Sequence, residues 1–238
     1  MTALAEHDSG TAARILAAAR ELVLKRGVKG LTVAEIAARA HVGKGTAYLY
    51  WGTKEDLLFG LFARDFLDVV DSEIEVLTAD PDNSRPHRLC ARLVRVALEH
   101  PFVRALQTGD VDLLGALSRQ SRSRELLDML GPAAMMYRVL PVWREHRLAR
   151  TDWPLEEQAY ALQALIAGFL ATAAQSQGNV VVDDPDKVIA AAVTALLGPE
   201  KARQAEVRAA TDEGLRLLRE GRETVLALIT TKHETKPD

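Results

Sequence analysis

Residues 31–51 read LTVAEIAARAHVGKGTAYLYW, and this stretch decides the fold class of the chain. It opens with Thr32 and, three residues later, Glu35, which is the spacing of a capping box at the start of a helix. Apolar residues then recur at helical spacing and predict one buried face; they are Val33, Ile36, Ala37 and Ala40. We expect the small side chain of Ala37 to let a second helix cross closely.

A second short helix is predicted at about residues 44–50. Val42 and Ala47 supply its apolar contacts, and its other face offers donors, a cation and two amphipathic rings from Lys44, Thr46, Tyr48 and Tyr50. Such a helix can enter a DNA major groove while the preceding helix crosses the backbone. From spacing alone, a plain helical hairpin with ordinary surface residues is an equally good interpretation.

The charge distribution points in the same direction. The net charge of the 238-residue chain is −3, but residues 1–54 hold eight Lys/Arg against four Asp/Glu, whereas the remainder holds 22 against 29. A basic end on an acidic body is expected when that end meets phosphate. Solvated surface charge can produce the same imbalance by chance.

The rest of the chain has helical periodicity, and the β-branched run at residues 180–182 is too short to require a sheet. The sequence therefore predicts an all-α fold. The predicted helices are at about 10–26, 32–39, 44–50, 53–78, 85–99, 102–118, 123–148, 155–177, 185–197 and 200–230.

Several classes of protein are disfavoured. The single cysteine, Cys90, excludes a disulfide within the chain, and the N-terminus lacks the basic-then-apolar run of a signal peptide. Residues 158–182 carry no charge, but they contain several amide side chains and much alanine, which favours a helix buried in protein over a membrane span. We therefore expect a cytoplasmic protein without a membrane segment.

The sequence shows no enzyme signature. It has no Ser/His/Asp or Cys/His order that stands out and no glycine loop that would cradle phosphate. Its six histidines are scattered without metal-ligand spacing. We therefore expect neither catalysis nor a cofactor nor a metal site.

Residues 31–58, LTVAEIAARAHVGKGTAYLYWGTKEDLL, resemble the N-terminal signature of TetR-family transcriptional regulators. The resemblance covers the entry threonine, the Ile-Ala pair, the Gly-Thr-x-Tyr-x-Tyr helix and the Lys-Glu-x-Leu opening of the next helix. It extends over residues of about 10–60, because the preceding amphipathic helix is also in place. The resemblance implies a three-helix helix-turn-helix DNA-binding domain at 1–54 and a helical-bundle ligand-binding and dimerisation domain at 55–238.

The resemblance also implies roles for individual residues. Thr32 and Lys54 are expected to contact phosphate from the starts of their helices, and Tyr50 to reach another phosphate. Gly45 is expected to bring the backbone close to DNA. Base edges or the thymine methyl group are expected to face Lys44, Thr46 and Tyr48.

Two residues depart from the pattern. His41 stands where glycine is usual, at a turn position that we expect to need a positive φ. Trp51 stands where phenylalanine is common, and we interpret it as core between the two domains rather than as a DNA contact.

The C-terminal segment carries two further expectations. The helix at 155–177 is apolar nearly all round and is predicted to form a two-fold four-helix interface with a partner helix at 185–197 or 200–230, although an internal core helix would have the same composition. A ligand pocket is predicted on helices 102–148, where simple core packing is equally compatible with the composition. Its predicted lining is Leu106, Leu113, Leu117, Met136, Tyr137 and Trp143.

Together these features predict a homodimeric repressor that binds a palindromic DNA operator and leaves it when a small apolar effector binds. The helix at 53–78 is long enough to touch both domains and is expected to couple them by tilting. The alternatives are that this helix is a rigid connector, or that the DNA-binding dimer has no effector and is constitutive or controlled by a protein partner.

Overall fold

A computed structural model describes residues 9–100, 102–104, 111–117, 124–125, 132–174 and 182–230. All regular structure in these ranges is helical, which confirms the predicted all-α fold. The helices are α1 Gly10–Arg26, α2 Val33–Arg39, α3 Lys44–Tyr50, α4 Lys54–Ala79, a 3₁₀ turn Pro81–Ser84, α5 Pro86–Glu99, α6 Val111–Leu117, α7 Pro132–Glu145, α8 Leu155–Ala174, α9 Pro185–Leu197 and α10 Gln204–Thr230.

Most helix bounds lie within one or two residues of those that the sequence predicts. The exceptions fall where proline or the described ranges intervene. The helix predicted at 123–148 is α-helical over Pro132–Glu145, and the one predicted at 200–230 begins only at Gln204, after Pro199. The helix predicted at 102–118 is helical at residues 102–104 and over Val111–Leu117, and its predicted end at 118, like the end of α8 predicted at 177, lies outside the described residues.

The first three helices share a core with the start of α4. Ile15, Ile36 and Ala47 are each at most 1% exposed, and they pack with the side chains of Leu58 and Phe62 from α4. Trp51 is buried in this same cluster, as the sequence predicts. We call it the first core. It does not stop at residue 54, because it reaches Leu67 and also includes residues from far along the chain.

A second core lies among α4, α5 and α7–α10. Its fully buried members include Leu140, Leu162 and Val193. The α4 helix contributes to both cores, because Leu57 and Phe62 lie in the first and Leu77 in the second. With 26 residues α4 is about 39 Å long.

The last helix, α10, also contributes to both cores. Its first half places Val207, Ala210 and Leu215 in the second core, and its last turns place Val225 and Leu228 in the first. An ion pair between Arg222 and Asp71, 2.5 Å from Nε to Oδ1, fastens α10 to α4 between these ends. The two cores are therefore joined by two long helices rather than by α4 alone.

Among the described helices, none combines the length and the apolar character that crossing a membrane requires.

Candidate nucleic-acid interface and internal cavity

The turn between α2 and α3 is tight and is closed by backbone hydrogen bonds. The amide of Val42 donates to the carbonyl of Ala37 at 3.0 Å, and the amide of His41 donates to the carbonyl of Ala38 at 3.1 Å. His41 has φ 56°, so the expected left-handed conformation is confirmed. A positive φ strains the backbone of a histidine, so the close packing of the buried residues Ala37 and Ala40 must stabilise this turn.

The capping box at the start of α2 is present. The amide of Glu35 donates to the Thr32 hydroxyl at 3.2 Å, and the Glu35 carboxylate accepts from the Thr32 amide at 2.9 Å and from its hydroxyl at 3.0 Å. The hydrogen bonds from Thr32 lower the pKa of Glu35 below its usual value. Thr32 is exposed at the helix start, where the resemblance implies a phosphate contact.

The outward face of α3 is exposed and combines apolar with cationic groups. Ala47 is buried against the first core, whereas Lys44, Gly45, Tyr48, Leu49 and Tyr50 are exposed. The ammonium group of Lys44 lies 5.7 Å from the centroid of the Tyr48 ring, close enough for a cation–π contact. A Cβ atom added at Gly45 would meet nothing within 4 Å, so the backbone here is open to a close neighbour.

Thr46, Tyr50 and Lys54 lie differently from the other predicted site residues. Thr46 is only partly exposed, on the flank of α3. The Tyr50 hydroxyl is hydrogen-bonded to the Ser9 hydroxyl at 2.6 Å, and Ser9 is the residue that caps the start of α1. The Lys54 ammonium donates to the carbonyl of Val28 at 3.4 Å, which places it beside the loop that leads to Thr32.

Leu49 is an exposed residue of α3 that the sequence analysis did not select. It is 86% exposed, which is the largest exposed fraction of any large apolar residue in the described part of the chain. The periodicity of the sequence did not indicate that Leu49 is exposed, because a leucine in an amphipathic helix is expected to face the core.

The charges around this surface are partly neutralised within the protein. Arg39 pairs with Glu21 at 2.6 Å, and Arg26 lies 3.4 Å from Glu35. Lys44 and two exposed lysines at the end of α1 and the next loop, Lys25 and Lys29, have no ion pair within the described residues. These three exposed cations are therefore available to meet an anion.

An internal cavity of about 170 Å³ lies within the second core. Its walls come from α4, α5, α7, α8 and α10 and are mostly apolar, with Phe66, Leu93, Val139, Ile166 and Leu217 as examples from each. An apolar engineered cavity of about 150 Å³ holds a benzene molecule, so this volume suits a compound of about one ring.

The polar groups of the cavity wall are few. Besides Gln163 they belong to Glu73, Ser84 and Arg138. Glu73 forms a buried ion pair with Arg92, which lies behind the wall and also donates to the carbonyl of Asn83 at 3.2 Å. The Gln163 amide lines the cavity with no hydrogen bond to the described part of the chain. Cys90 also lines it, and burial raises the pKa of its thiol to about 12. The described part of the chain contains no cluster of three His, Cys, Asp or Glu residues that could hold a metal.

The predicted pocket residues are distributed unevenly. Met136 and Trp143 line the cavity. Tyr137 is 50% exposed and is not part of the lining, and Leu113 is buried in the first core instead. Leu106 and the side chain of Leu117 lie outside the described residues.

Residues that the sequence analysis missed supply most of the cavity wall. They come from α4, α5 and α10, and the α10 contribution includes two glycines seven residues apart, Gly214 and Gly221. A Cβ added at Gly214 would meet nothing within 4 Å, so this glycine leaves space on the face of α10 that lines the cavity. The spacing of the two glycines was the one sequence signal that could have indicated this wall.

A buried carboxylate joins the DNA-proximal helices to the cavity. Asp65 of α4 is fully buried and accepts hydrogen bonds from Arg20 of α1 at 2.8 Å and from the Phe102 amide at 3.2 Å, and its Oδ1 lies 3.3 Å from Nδ1 of His100. The Arg20 guanidinium also lies 5.6 Å from the Phe102 ring centroid. The next residue, Val103, lines the cavity. Asp65 therefore connects α1 and α4 with the segment that reaches the cavity wall.

Comparison with known proteins bears on the same surface. The family model described as bacterial regulatory proteins, tetR family, matches residues 15–61. The uncharacterised HTH-type transcriptional regulator YdeS of Bacillus subtilis strain 168 is 41% identical over 68 residues, which are 27% of this chain and 34% of YdeS. The match therefore spans about a third of the length of that relative.

Two solved structures share the whole fold. The fatty acid degradation regulator FadR from Bacillus halodurans has a TM-score of 0.54 and 18% identity, and the alignment covers 82% of this chain and 98% of that one. A TetR family transcription regulator from Marinobacter aquaeolei VT8 has a TM-score of 0.56 and 16% identity, with 81% and 97% covered. At these identities the likeness concerns the fold alone. Residues 15–61 therefore match the N-terminal segment of bacterial tetR-family regulatory proteins, and the chain as a whole has the all-helical fold of two solved regulators.

Proposed function

We propose that this regulator is a cytoplasmic homodimeric repressor that binds a palindromic operator in double-stranded DNA and is released by a small, largely apolar effector. The proposal rests on one observation above all. The α4 helix contributes both to the core beneath the exposed face of α3 and to the wall of the cavity. Occupation of the cavity can therefore act on the helices that would meet DNA.

The DNA-binding part of the proposal assigns two roles. Lys44, Thr46 and Tyr48 read base edges, with Gly45 allowing close approach, whereas Thr32, Tyr50 and Lys54 hold phosphates. The free cations Lys25, Lys29 and Lys44 add long-range attraction.

Selection from randomised duplexes followed by gel-shift titration tests these roles. Binding is expected to weaken linearly in log K against log salt, with a slope of several units from released counterions. Alanine at Lys44 or Tyr48 should change the selected sequence, whereas Lys54→Ala should weaken all sequences alike. Affinity that hardly depends on salt would contradict the proposal.

The dimer is proposed to form through α8 and α9. Small residues are exposed along one face of α8, at Ala164, Gly168 and Ala171, and Ala191 and Ala195 are exposed on α9, which packs beside it. Small residues let helices approach closely, and a two-fold axis through this face gives a four-helix interface. α10 is a less suitable partner, because it packs against α4 and the 3₁₀ turn.

The effector is proposed to occupy the cavity within the second core. The mostly apolar wall accepts a compound of about one ring, and the Gln163 amide offers it a hydrogen bond. A thermal-shift screen against small lipophilic compounds tests this, since a ligand that binds the folded state raises the melting temperature by mass action.

A control variant makes the screen specific. Gly214→Leu places a side chain in open space within the cavity wall, and it should abolish the shift without unfolding the protein. If no compound stabilises the wild type, the DNA-binding dimer is constitutive or controlled by a protein partner.

A further inference from the structure

The most exposed point of α3 is occupied by an apolar side chain. Ala47 is 1% exposed and marks the direction of the first core, and successive residues of an α-helix turn by about 100°. Leu49 therefore points about 160° away from Ala47 on one side, and Gly45 points about 160° away on the other side. These two residues, four apart, form the outermost ridge of the helix.

The surroundings of this ridge suit contact with the floor of a groove. Gly45 has no side chain and open space around its Cα, so Leu49 is the only side chain that projects from the ridge. Lys44 and Tyr48 lie together on one flank, and Thr46 is partly buried on the other. An apolar tip between a cationic flank and a hydroxyl flank is complementary to a base edge between two phosphate backbones.

The chemistry of leucine selects one kind of base edge. Leucine neither donates nor accepts hydrogen bonds, so pressing it against the polar edge of guanine, adenine or cytosine would desolvate those groups without compensation. In the major groove the one apolar group that a standard base presents is the C5 methyl of thymine.

We infer that Leu49 is a specificity-determining residue that packs on the C5 methyl group of a pyrimidine, a thymine in ordinary DNA, once in each half-site. This inference rests on the proposed DNA-binding function and adds to it a residue and a base. It also adds an apolar contact at the centre of the face that reads bases, whereas the polar residues proposed above lie on its flanks.

The experiment replaces thymine by deoxyuridine, which removes only the methyl group. A duplex is first selected with the full-length wild-type protein, and deoxyuridine is then placed at each thymine in turn. At one thymine per half-site, wild-type affinity should fall about fourfold per half-site, the factor expected for one buried methyl group. Replacement of cytosine by 5-methylcytosine in a duplex that carries cytosine at that position should restore part of the affinity.

Two variants complete the cycle. Leu49→Ala should bind the thymine duplex more weakly and show no response to deoxyuridine at that position. Leu24→Ala removes another exposed leucine, on α1, and should keep the full wild-type response. Because both leucines are more than half exposed, melting temperatures should match that of the wild type.

The outcomes separate this inference from the function on which it rests. A wild type that selects a duplex but is insensitive to deoxyuridine at every position overturns the role of Leu49 and leaves DNA binding intact. The same holds if Leu49→Ala keeps the wild-type sensitivity. A protein that selects no duplex overturns both.

Discussion

At the scale of single residues, Gly45 illustrates how a requirement for binding can oppose one for folding. Glycine inside a helix costs about 1 kcal/mol relative to alanine, and nothing in the free protein fills the space beside Gly45. We therefore expect Gly45→Ala to raise the free energy of unfolding by about 0.5–1 kcal/mol and to weaken operator binding, because the new methyl group meets DNA.

Chemical denaturation and gel-shift titration measure the two effects. Gly115 is a matched control, since it is also exposed in a seven-residue helix with open space for a Cβ. Gly115→Ala should stabilise the fold without changing DNA affinity. If Gly45→Ala binds its operator as tightly as the wild type, Gly45 does not face DNA.

Cys90 shows what burial does to a reactive group. Its side chain is 1% exposed, and burial raises its pKa to about 12, from 9.0 for a free thiol. Because the thiolate is the nucleophile, we predict that Cys90 resists alkylation in the folded protein at pH 8 and reacts fully once the protein is unfolded. Mass spectrometry after timed labelling checks this.

The same shift predicts a pH dependence of stability. The unfolded thiol loses its proton above about pH 9 while the folded thiol keeps it, so this stabilisation is complete below pH 9 and is lost as the pH rises further. The urea midpoint of the wild type should therefore fall more between pH 8 and pH 10 than that of Cys90→Ala. Equal falls would show that Cys90 is solvated.

At the scale of elements, the exposed small-residue face of α8 is the proposed dimer interface. Ala164 lies on this face, so Ala164→Arg should place an unpaired charge in the proposed interface and yield monomers. Light scattering after size exclusion measures the mass. The control Ala209→Arg lies on an exposed position of α10 and should leave the dimer unchanged. A dimeric Ala164→Arg would place the interface elsewhere.

We propose that the contact between α1 and α4 is the element-scale link between effector and DNA. Arg20 and Asp65 hold these helices together, and Asp65 also binds the segment that reaches the cavity wall. We predict that Arg20→Ala leaves effector affinity unchanged but reduces the factor by which the effector weakens DNA binding. Arg39→Ala breaks an exposed pair within the DNA-binding domain and should not alter this factor.

Titration calorimetry measures the affinity for the effector. Gel-shift titration with and without the effector measures the factor by which the effector weakens DNA binding. If Arg20→Ala shows the full wild-type factor, coupling passes through α4 and α10 without this contact.

At the scale of the whole molecule, two long helices join the cavity to the DNA-binding domain. Each is about 40 Å long and contributes to both cores, so a small tilt at the cavity moves α1–α3 by several ångströms. In a dimer the two recognition helices must lie about 34–36 Å apart to meet successive major grooves. A tilt that changes this spacing releases DNA without dissociating the dimer.

We therefore expect effector and operator to weaken each other by the same factor, typically about 5–150-fold. The measurement is operator affinity with and without effector at protein concentrations far above the dimer dissociation constant. Antagonism that persists there supports tilting, whereas antagonism that disappears at high concentration means that the effector acts on dimerisation.

The sequence by itself was sufficient for the features that depend on near neighbours in the chain. The capping box needs only Thr32 and Glu35 three residues apart, and the positive φ of His41 follows from its place in the four-residue turn between α2 and α3. Helix ends at Gly27 and Gly198 follow from the conformations that glycine permits. Such features are decided within about one helical turn, so local pattern contains their cause.

Only the tertiary structure decided which faces meet. Leu113 and Trp143 look alike as candidates for a pocket, yet Leu113 packs in the first core and Trp143 lines the cavity. The sequence pattern suggests that Leu49 is a core residue, but in the structure Ala47 faces the core and Leu49 points outward. The pattern of α10 is that of any amphipathic helix, and only the structure shows that its two ends belong to different cores. Periodicity indicates which face of a helix is apolar but not which surface packs against it, because that surface is formed by residues a hundred or more positions away.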